Sequence, residues 1–292
     1  MRIRSLLYVP GNRSALFTKA MAGAADAVIL DLEDAVPPAG KPVARAAVAD
    51  WLLANADDAA KPVFVRINDG ELGLEDVEAL VASGAAFAGL LVPKAETGGA
   101  IRCLGVSLDA AGPRLADVAL QPIIESVAGL YALAELAAAS RRVGRFSFGA
   151  GDFVADLGGV ATPERTETLI ARAEIAMRSR LLGLAPPVAH VFAPIADLTA
   201  LRRACVEDRA LGFGARSCIH PSQVEVVNAS FGISEAELRK AREIVARSAS
   251  NQAGGAGAFQ MPDGTFVDEA VVRQARAILA QAPNLPGAKG SR

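Results

Sequence analysis

Histidine is nearly absent from the 292 residues, with only His190 and His220, and the net charge is −2, from 30 Lys and Arg against 32 Asp and Glu. The basic residues are scattered, so there is no electrostatic footprint for nucleic acid. Apolar runs are short and broken by charge, far below the ~20 residues of a membrane span, and "MRIRSLLYVPG" carries too short an apolar segment for a signal peptide. A cytoplasmic protein is expected. Cys103, Cys205 and Cys218 are odd in number and lack C-x-x-C spacing, which suits reduced, unligated thiols. No G-x-x-x-x-G-K-[ST] occurs, "GAGDFV" has Val154 where a dinucleotide fingerprint needs its third glycine, and hydrolase signatures are missing.

What is present is apolar residue in quantity, 52% of the chain, enough to bury a large core. Eight short runs close on turn or polar residues: 5–11, 27–33, 63–68, 89–94, 120–126, 145–152, 188–194 and 216–221. Most are continuously apolar, as parallel strands covered on both faces should be. Ala-rich helical segments lie between them; one is expected over 163–182, with Thr162 as N-cap, Pro163 in the first turn and Gly183 as stop. Eight such units predict a (β/α)8 TIM barrel over 1–225. A C-terminal helical arm is expected over 226–292. In it, Ser234 and Glu237 form a capping box for a helix over 234–249, 250–264 reads as a flexible linker, and a last apolar stripe runs over 268–282.

In such barrels reactive groups stand at the C-terminal ends of strands. Asp31, Glu33 and Asp34 close the second run, Arg66 and Asn68 the third, Lys94 and Glu96 the fourth, Glu125 and Ser126 the fifth, Asp152 the sixth, and His220 and Gln223 the eighth. Several carboxylates with almost no histidine suit a hard cation such as Mg2+ and make zinc improbable. Each residue also has a structural reading. Glu125 and Asp152 could serve helix N-termini, Arg66 could be a salt-bridged mouth residue, and Glu33 and Asp34 could pair with Lys41 or Arg45. Lys94 and Arg13 could simply be solvated, and Asp268 could cap the helix that follows it.

The ordered motifs "SLLYVPGNR", "VILDLEDAV", "VRIN", "LVPKAE", "PIIESVAGL", "FGAGDFVADLG" and "LGFGARSCIHPSQV" resemble the citrate lyase β-subunit family of the HpcH/HpaI aldolase superfamily, across essentially the whole chain. The resemblance implies a Mg2+-dependent carbon–carbon lyase acting on citryl-, malyl- or citramalyl-CoA-type thioesters to give an acyl-CoA and a small oxo-acid. It also implies a homo-oligomer, a trimer or hexamer. A class II 2-oxo-acid aldolase without CoA and a partner-dependent citrate lyase β subunit are the alternatives. By position, Glu125 and Asp152 match the metal carboxylates and Arg66 the arginine on substrate oxygens. Gly149, Ala150 and Gly151 match the oxo-acid cradle, with Lys94 and Arg13 as candidates for the phosphates of coenzyme A. Glu33 and Asp34 match supporting acids behind the metal, and Asp268 a catalytic aspartate on the arm. The chain departs from the family where Ala215 and Arg216 replace a Gly-Lys pair, His190 an acidic residue, and Ala270 a proline.

Overall fold

A computed structural model describes residues 2–55, 60–253 and 258–281. Eight parallel strands close into a barrel in sequence order: β1 (Ser5–Pro10), β2 (Ala27–Asp31), β3 (Val63–Arg66), β4 (Gly89–Val92), β5 (Ala119–Ile124), β6 (Ser147–Phe148), β7 (Val188–Ala189) and β8 (Ala215–Cys218), with β8 pairing back onto β1. The expected TIM barrel is therefore the observed fold. Its main helices are α1 (Phe17–Ala22), α2 (Lys41–Asn55), α3 (Gly70–Ser83), α4 (Gly98–Ala110), α5 (Val127–Tyr131), α6 (Leu133–Ala139), α7 (Ala150–Leu157), α8 (Leu169–Leu181), α9 (Leu198–Leu211) and α10 (Pro221–Phe231).

The continuous apolar strands are explained by two packing layers. Leu6, Ala27, Ile29, Phe64, Leu91, Ile123, Val188 and Ala215 fill the barrel interior. Their neighbours in sequence, among them Val28, Leu30, Val65, Leu90, Leu120 and Ile124, join the larger core beneath the helices. The alternation fixes which strand-end residues face inward, and hence which polar groups reach the mouth.

One expected helix start moves. The segment read as one helix over 163–182 becomes helical only at Leu169, after a 3-10 turn over Thr166–Thr168. The cause lies 40 residues downstream. Arg165 adopts a left-handed backbone (φ +55°) with its guanidinium bonded to Asp208 and Glu207, which breaks the helix that local propensity favours. Thr162 caps nothing and donates to Glu167 instead.

The chain divides into two compact units, Met1–Phe231 and Gly232–Arg292. In the second, α11 (Glu235–Ala253) begins at the expected capping box: Ser234 N–H donates to the Glu237 carboxylate, and Glu237 N–H to Ser234 Oγ at 3.2 Å. The stretch expected as linker is ordered at both ends. Residues 250–253 extend α11, and β9 (Phe259–Gln260) pairs antiparallel with β10 (Phe266–Val267); residues 254–257 lie outside the described residues. Packing of Ala241, Ile244, Met261, Val267, Val272 and Ala275 joins this hairpin to α11 and α12 (Glu269–Gln281). Among the described residues, no helix is long and apolar enough to cross a membrane.

Candidate active site

Asp31 ends β2 directly opposite Arg66 in the β2–β3 register. The consequence is a two-pronged ion pair, Arg66 Nε to Asp31 Oδ1 and Nη2 to Oδ2, both 2.7 Å. Nη1 then reaches Glu33 Oε2 at 2.7 Å and Asp34 Oδ2 at 3.2 Å, and the guanidinium lies 5.0 Å over the Tyr8 ring. Burial opposes a charge here, but Asp31 overcomes it and raises the Arg66 pKa. One terminal N–H, on Nη2, remains outside these contacts, because the fork has five donors and Nη1 faces two carboxylates.

Glu33 is buried, and its Oε2, though close to Arg66, has no partner in hydrogen-bond geometry. Burial, only partly offset by Arg66, pushes its pKa up to about 7. Lys41 does not neutralise it; its Nζ bonds the carbonyls of Leu32 and Glu33 and the side chain of Asn68. Arg45 pairs with Asp76 and Glu75 instead. The acids after β2 are thus positioned by Arg66, while Lys41 pins their backbone.

Glu125 follows β5 and is also buried. Burial, with the negative charge of Asp152, pushes its pKa up to about 7, against a hydrogen bond from Lys94 N–H at 2.6 Å. Lys94 sits at φ +45°, a conformation a lysine adopts at a cost, and it aims that N–H at the carboxylate. The neighbouring position must be glycine: a Cβ at Gly149 would stand 2.6 Å from Glu125 Cβ and Oε2. The chain then enters α7, whose first turn holds Ala150, Gly151 and Asp152. Ser126 caps α5, with Glu125 just before it, and Gly149 rather than Asp152 occupies the N-cap of α7, which leaves Asp152 in the first turn of that helix.

These groups line a cavity of about 1070 Å³ at the C-terminal ends of the strands. Asp31, Asp34, Arg66, Glu125, Gly149, Ala150, Gly151 and Asp152 all border it, so most of the expected site is brought together. Lys94 and Arg13 have exposed side chains and are not in its lining. Asp268 belongs to the second unit, where its Oδ1 accepts from the N–H groups of Ala270 (2.9 Å) and Val271 (3.1 Å) at the start of α12. His220 likewise serves a helix start, with Nδ1 accepting from Ser222 N–H at 3.2 Å. Sequence reading missed Tyr8 and His190 as lining residues; strand alternation from Leu6 and Val188 would have found both.

No group of three or more His, Cys, Asp or Glu side chains forms a ready-made metal cage among the described residues. The pair Glu125 and Asp152 nevertheless fits Mg2+. Two nearby carboxylates, one buried and destabilised as an anion by the other, gain from a divalent charge, and Mg2+ takes one or two carboxylates while keeping sites for water and substrate oxygens.

The chain resembles known proteins over most of its length. The family model described as HpcH/HpaI aldolase/citrate lyase matches residues 4–221, and one described as a C-C bond lyase of the TIM-barrel fold matches 170–282. The chain is 35% identical over 286 residues to a citrate lyase subunit beta-like protein of Deinococcus radiodurans, covering 95% of this chain and 96% of that one. It is 34% identical to an L-malyl-CoA/beta-methylmalyl-CoA lyase of Rhodobacter capsulatus, covering 96% and 94%. A crystal structure of protein CitE from Mycobacterium tuberculosis in complex with magnesium, acetoacetate and coenzyme A superposes with a TM-score of 0.77 at 31% identity, covering 96% of this chain and 97% of that one.

Proposed function

The chain belongs to the HpcH/HpaI aldolase/citrate lyase family, and from that premise we propose a Mg2+-dependent lyase that cleaves or forms the bond between a CoA thioester's α-carbon and the carbonyl carbon of a small 2-oxo acid. It is a carbon–carbon lyase of the kind its relatives are. The observation that carries the metal assignment is the Glu125–Asp152 pair at the cavity, with Glu125 raised to about 7 by burial and by its partner.

Glu125 and Asp152 hold the metal, which when bound supplies Lewis-acid stabilisation to the oxo-acid's oxygens. The N–H groups of Ala150, Gly151 and Asp152 open α7 without intrahelical partners and receive the oxo-acid carboxylate. Arg66, locked by Asp31, directs its remaining Nη2 N–H at the oxygen on which charge develops, a donor already oriented before reaction. Cleavage passes the carbinol proton to solvent water in the cavity as its oxygen becomes the oxo-acid carbonyl, and the electron pair of the broken carbon–carbon bond remains on the thioester as an enolate. Asp268 delivers the proton to that α-carbon. Glu33 and Asp34 keep Arg66 in place.

The working form is a homo-oligomer, a trimer or hexamer. Tyr131, Val160, Ile170 and Leu181, each between 73% and 87% exposed, are apolar side chains that a second copy could cover. The compartment is the cytoplasm, in keeping with three cysteines that form no disulfide.

Glu125→Gln and Asp152→Asn test the reading. Each replaces an anionic hard ligand by a neutral one, and each should weaken Mg2+ binding in calorimetry and lower turnover of a malyl- or citryl-type CoA thioester by roughly 10²–10³-fold, with the circular dichroism spectrum unchanged. Unaltered Mg2+ affinity in both variants removes the metal assignment.

A further inference from the structure

His190 borders the cavity and has no part in the reaction just described. Its height is set by strand register. Ile123 pairs with Ser147 and Ser147 with Val188, so two residues further along each chain Glu125, Gly149 and His190 stand level on the neighbouring ends of β5, β6 and β7. The bond from Gly149 N–H to Ile124 O, 2.9 Å, carries the β5–β6 pairing to that level. With strands about 4.8 Å apart, Glu125 and His190 face each other across roughly 10 Å, separated only by a residue without a side chain. A small oxo-acid held by Glu125 and the start of α7 therefore has His190 as its other neighbour.

The wall behind His190 is cationic. Arg216 donates through Nη1 to the His190 carbonyl (2.7 Å) and pairs with buried Asp208, which also accepts from Arg165 (3.1 Å) and Arg172 (2.8 Å). Three guanidiniums thus share one fully buried carboxylate, supplemented by half-exposed Glu207 on Arg165. The imidazole ring stands edge-on to Phe148, centroids 5.9 Å apart at 87°, and its Nδ1 is buried with no hydrogen-bond partner. Burial first, and then the charge of Arg216, push its pKa down to about 3; Arg165 and Arg172 act in the same sense and Asp208 against it. The ring is neutral. Near cations an unpartnered nitrogen is better as a lone pair than as an N–H, which leaves the proton on Nε2, the nitrogen that can serve the cavity.

We propose that His190 is a specificity-determining residue: its Nε2–H donates a hydrogen bond to a second carboxylate on the oxo-acid, so that a dicarboxylic 2-oxo acid is chosen over a monocarboxylic one. The cationic wall favours the extra anion, whereas the carboxylates around Arg66 on the other side of the barrel repel it. An alkyl group in that place would bury the Nε2–H unpaired, the kind of mismatch by which a polar site rejects an apolar analogue. The inference rests on the lyase reading above.

Two measurements test it. In the first, the specificity constants for oxaloacetate and for pyruvate are compared in condensation with acetyl-CoA at fixed Mg2+. The wild type should prefer oxaloacetate by tenfold or more, His190→Phe should collapse the ratio toward one, and His190→Gln, which keeps a donor, should restore much of it. Equal use of the two acids by the wild type, or a ratio unchanged in His190→Phe, overturns the proposal. The second needs no turnover. The chain has two histidines, so 15N-edited NMR resolves His190 from His220, and His190 should remain in the neutral Nε2–H form down to pH 5. Oxaloacetate with Mg2+, but not pyruvate with Mg2+, should shift its Nε2 signal. An Nδ1–H tautomer, or equal shifts with both acids, overturns the role of His190 even where the lyase reading stands. Condensation of acetyl-CoA with glyoxylate but with neither of these acids overturns the proposal and leaves the lyase reading standing, whereas absence of condensation with all three counts against the lyase reading, and the NMR result still decides His190.

Discussion

On the β7–β8 side of the barrel a single buried aspartate, Asp208, accepts hydrogen bonds from Arg165, Arg172 and Arg216. On the β2–β5 side buried Asp31 and Glu33 lie against the guanidinium of Arg66, which pairs with Asp31 on both prongs, and buried Glu125 accepts the backbone N–H of Lys94; the pKa values of Glu33 and Glu125 are raised to about 7. Burial pushes the Asp208 carboxyl upward too, but Arg216 and Arg165 hold it below the usual carboxylate range. Asp208 and Asp31 are each bonded by guanidiniums, whereas at Glu33 and Glu125 burial outweighs the neighbouring cations.

The largest effect expected from breaking this contrast is on stability. Asp208→Asn leaves three guanidiniums without their shared anion and should cost about 3–5 kcal/mol in urea unfolding, as loss of one partner from a buried ion pair does. Glu33→Gln in the metal-free protein at neutral pH should cost far less or even stabilise, because it deletes a charge that its surroundings disfavour. Equal losses at the two positions would mean that the two sides do not differ in kind.

A smaller effect sharpens the same comparison through pH. Glu33 and Glu125 ordinarily titrate near 4.5 and in the fold near 7, so the folded state binds their protons more tightly than the unfolded state. The stability this confers is complete below about pH 4.5 and is lost as pH rises through about 7. Metal-free protein should therefore unfold more easily at pH 8 than at pH 5.5, by on the order of 2 kcal/mol for the two groups together. Asp208 works in the opposite direction and only at acid pH, where protonation removes its stabilisation. Mg2+ competes with the proton at Glu125, so added Mg2+ should raise the melting temperature more at pH 8 than at pH 5.5. A shift independent of pH would separate Glu125 from the metal.

The sequence disclosed the barrel because parallel strands covered on both faces must be apolar throughout, and it disclosed the mouth because polar residues then stand out at strand ends. Glu125, Asp152 and Arg66 were legible for that reason. What those residues touch was not. Arg66 closes on Asp31 through a register between strands 35 residues apart, and Glu125 is met by the backbone N–H of Lys94 rather than by its ammonium group. Asp208 gave no signal at all, since an aspartate in the middle of an amphipathic helix looks solvated until Arg165, Arg172 and Arg216 are folded onto it. The misplaced start of α8 has the same origin, a long-range ion pair overriding local propensity.

Asp268 is the smallest and most informative case, because it combines the two kinds of carboxylate in one side chain. Both of its N–H partners, Ala270 and Val271, fall on Oδ1, the geometry of a helix cap. Asparagine caps about as well as aspartate, so Asp268→Asn should leave the unfolding free energy within a few tenths of a kcal/mol, whereas Asp268→Ala should lose roughly 1 kcal/mol. If the side chain is also the proton donor proposed for the thioester α-carbon, Asp268→Asn must lose turnover and the exchange of that α-proton with solvent, because an amide cannot shuttle a proton. The two variants thus read the two roles separately: stability falls only in Asp268→Ala, and proton exchange falls in both. Retained exchange in Asp268→Asn would assign Asp268 to the cap alone, on the satisfied side of the comparison with Asp208. Mixing Asp268→Asn chains with Glu125→Gln chains then asks whether the carboxylate and the barrel it serves belong to one protomer. Activity recovered in the mixture, where each parent is inactive, requires an assembly in which one chain's Asp268 completes another chain's Glu125 site.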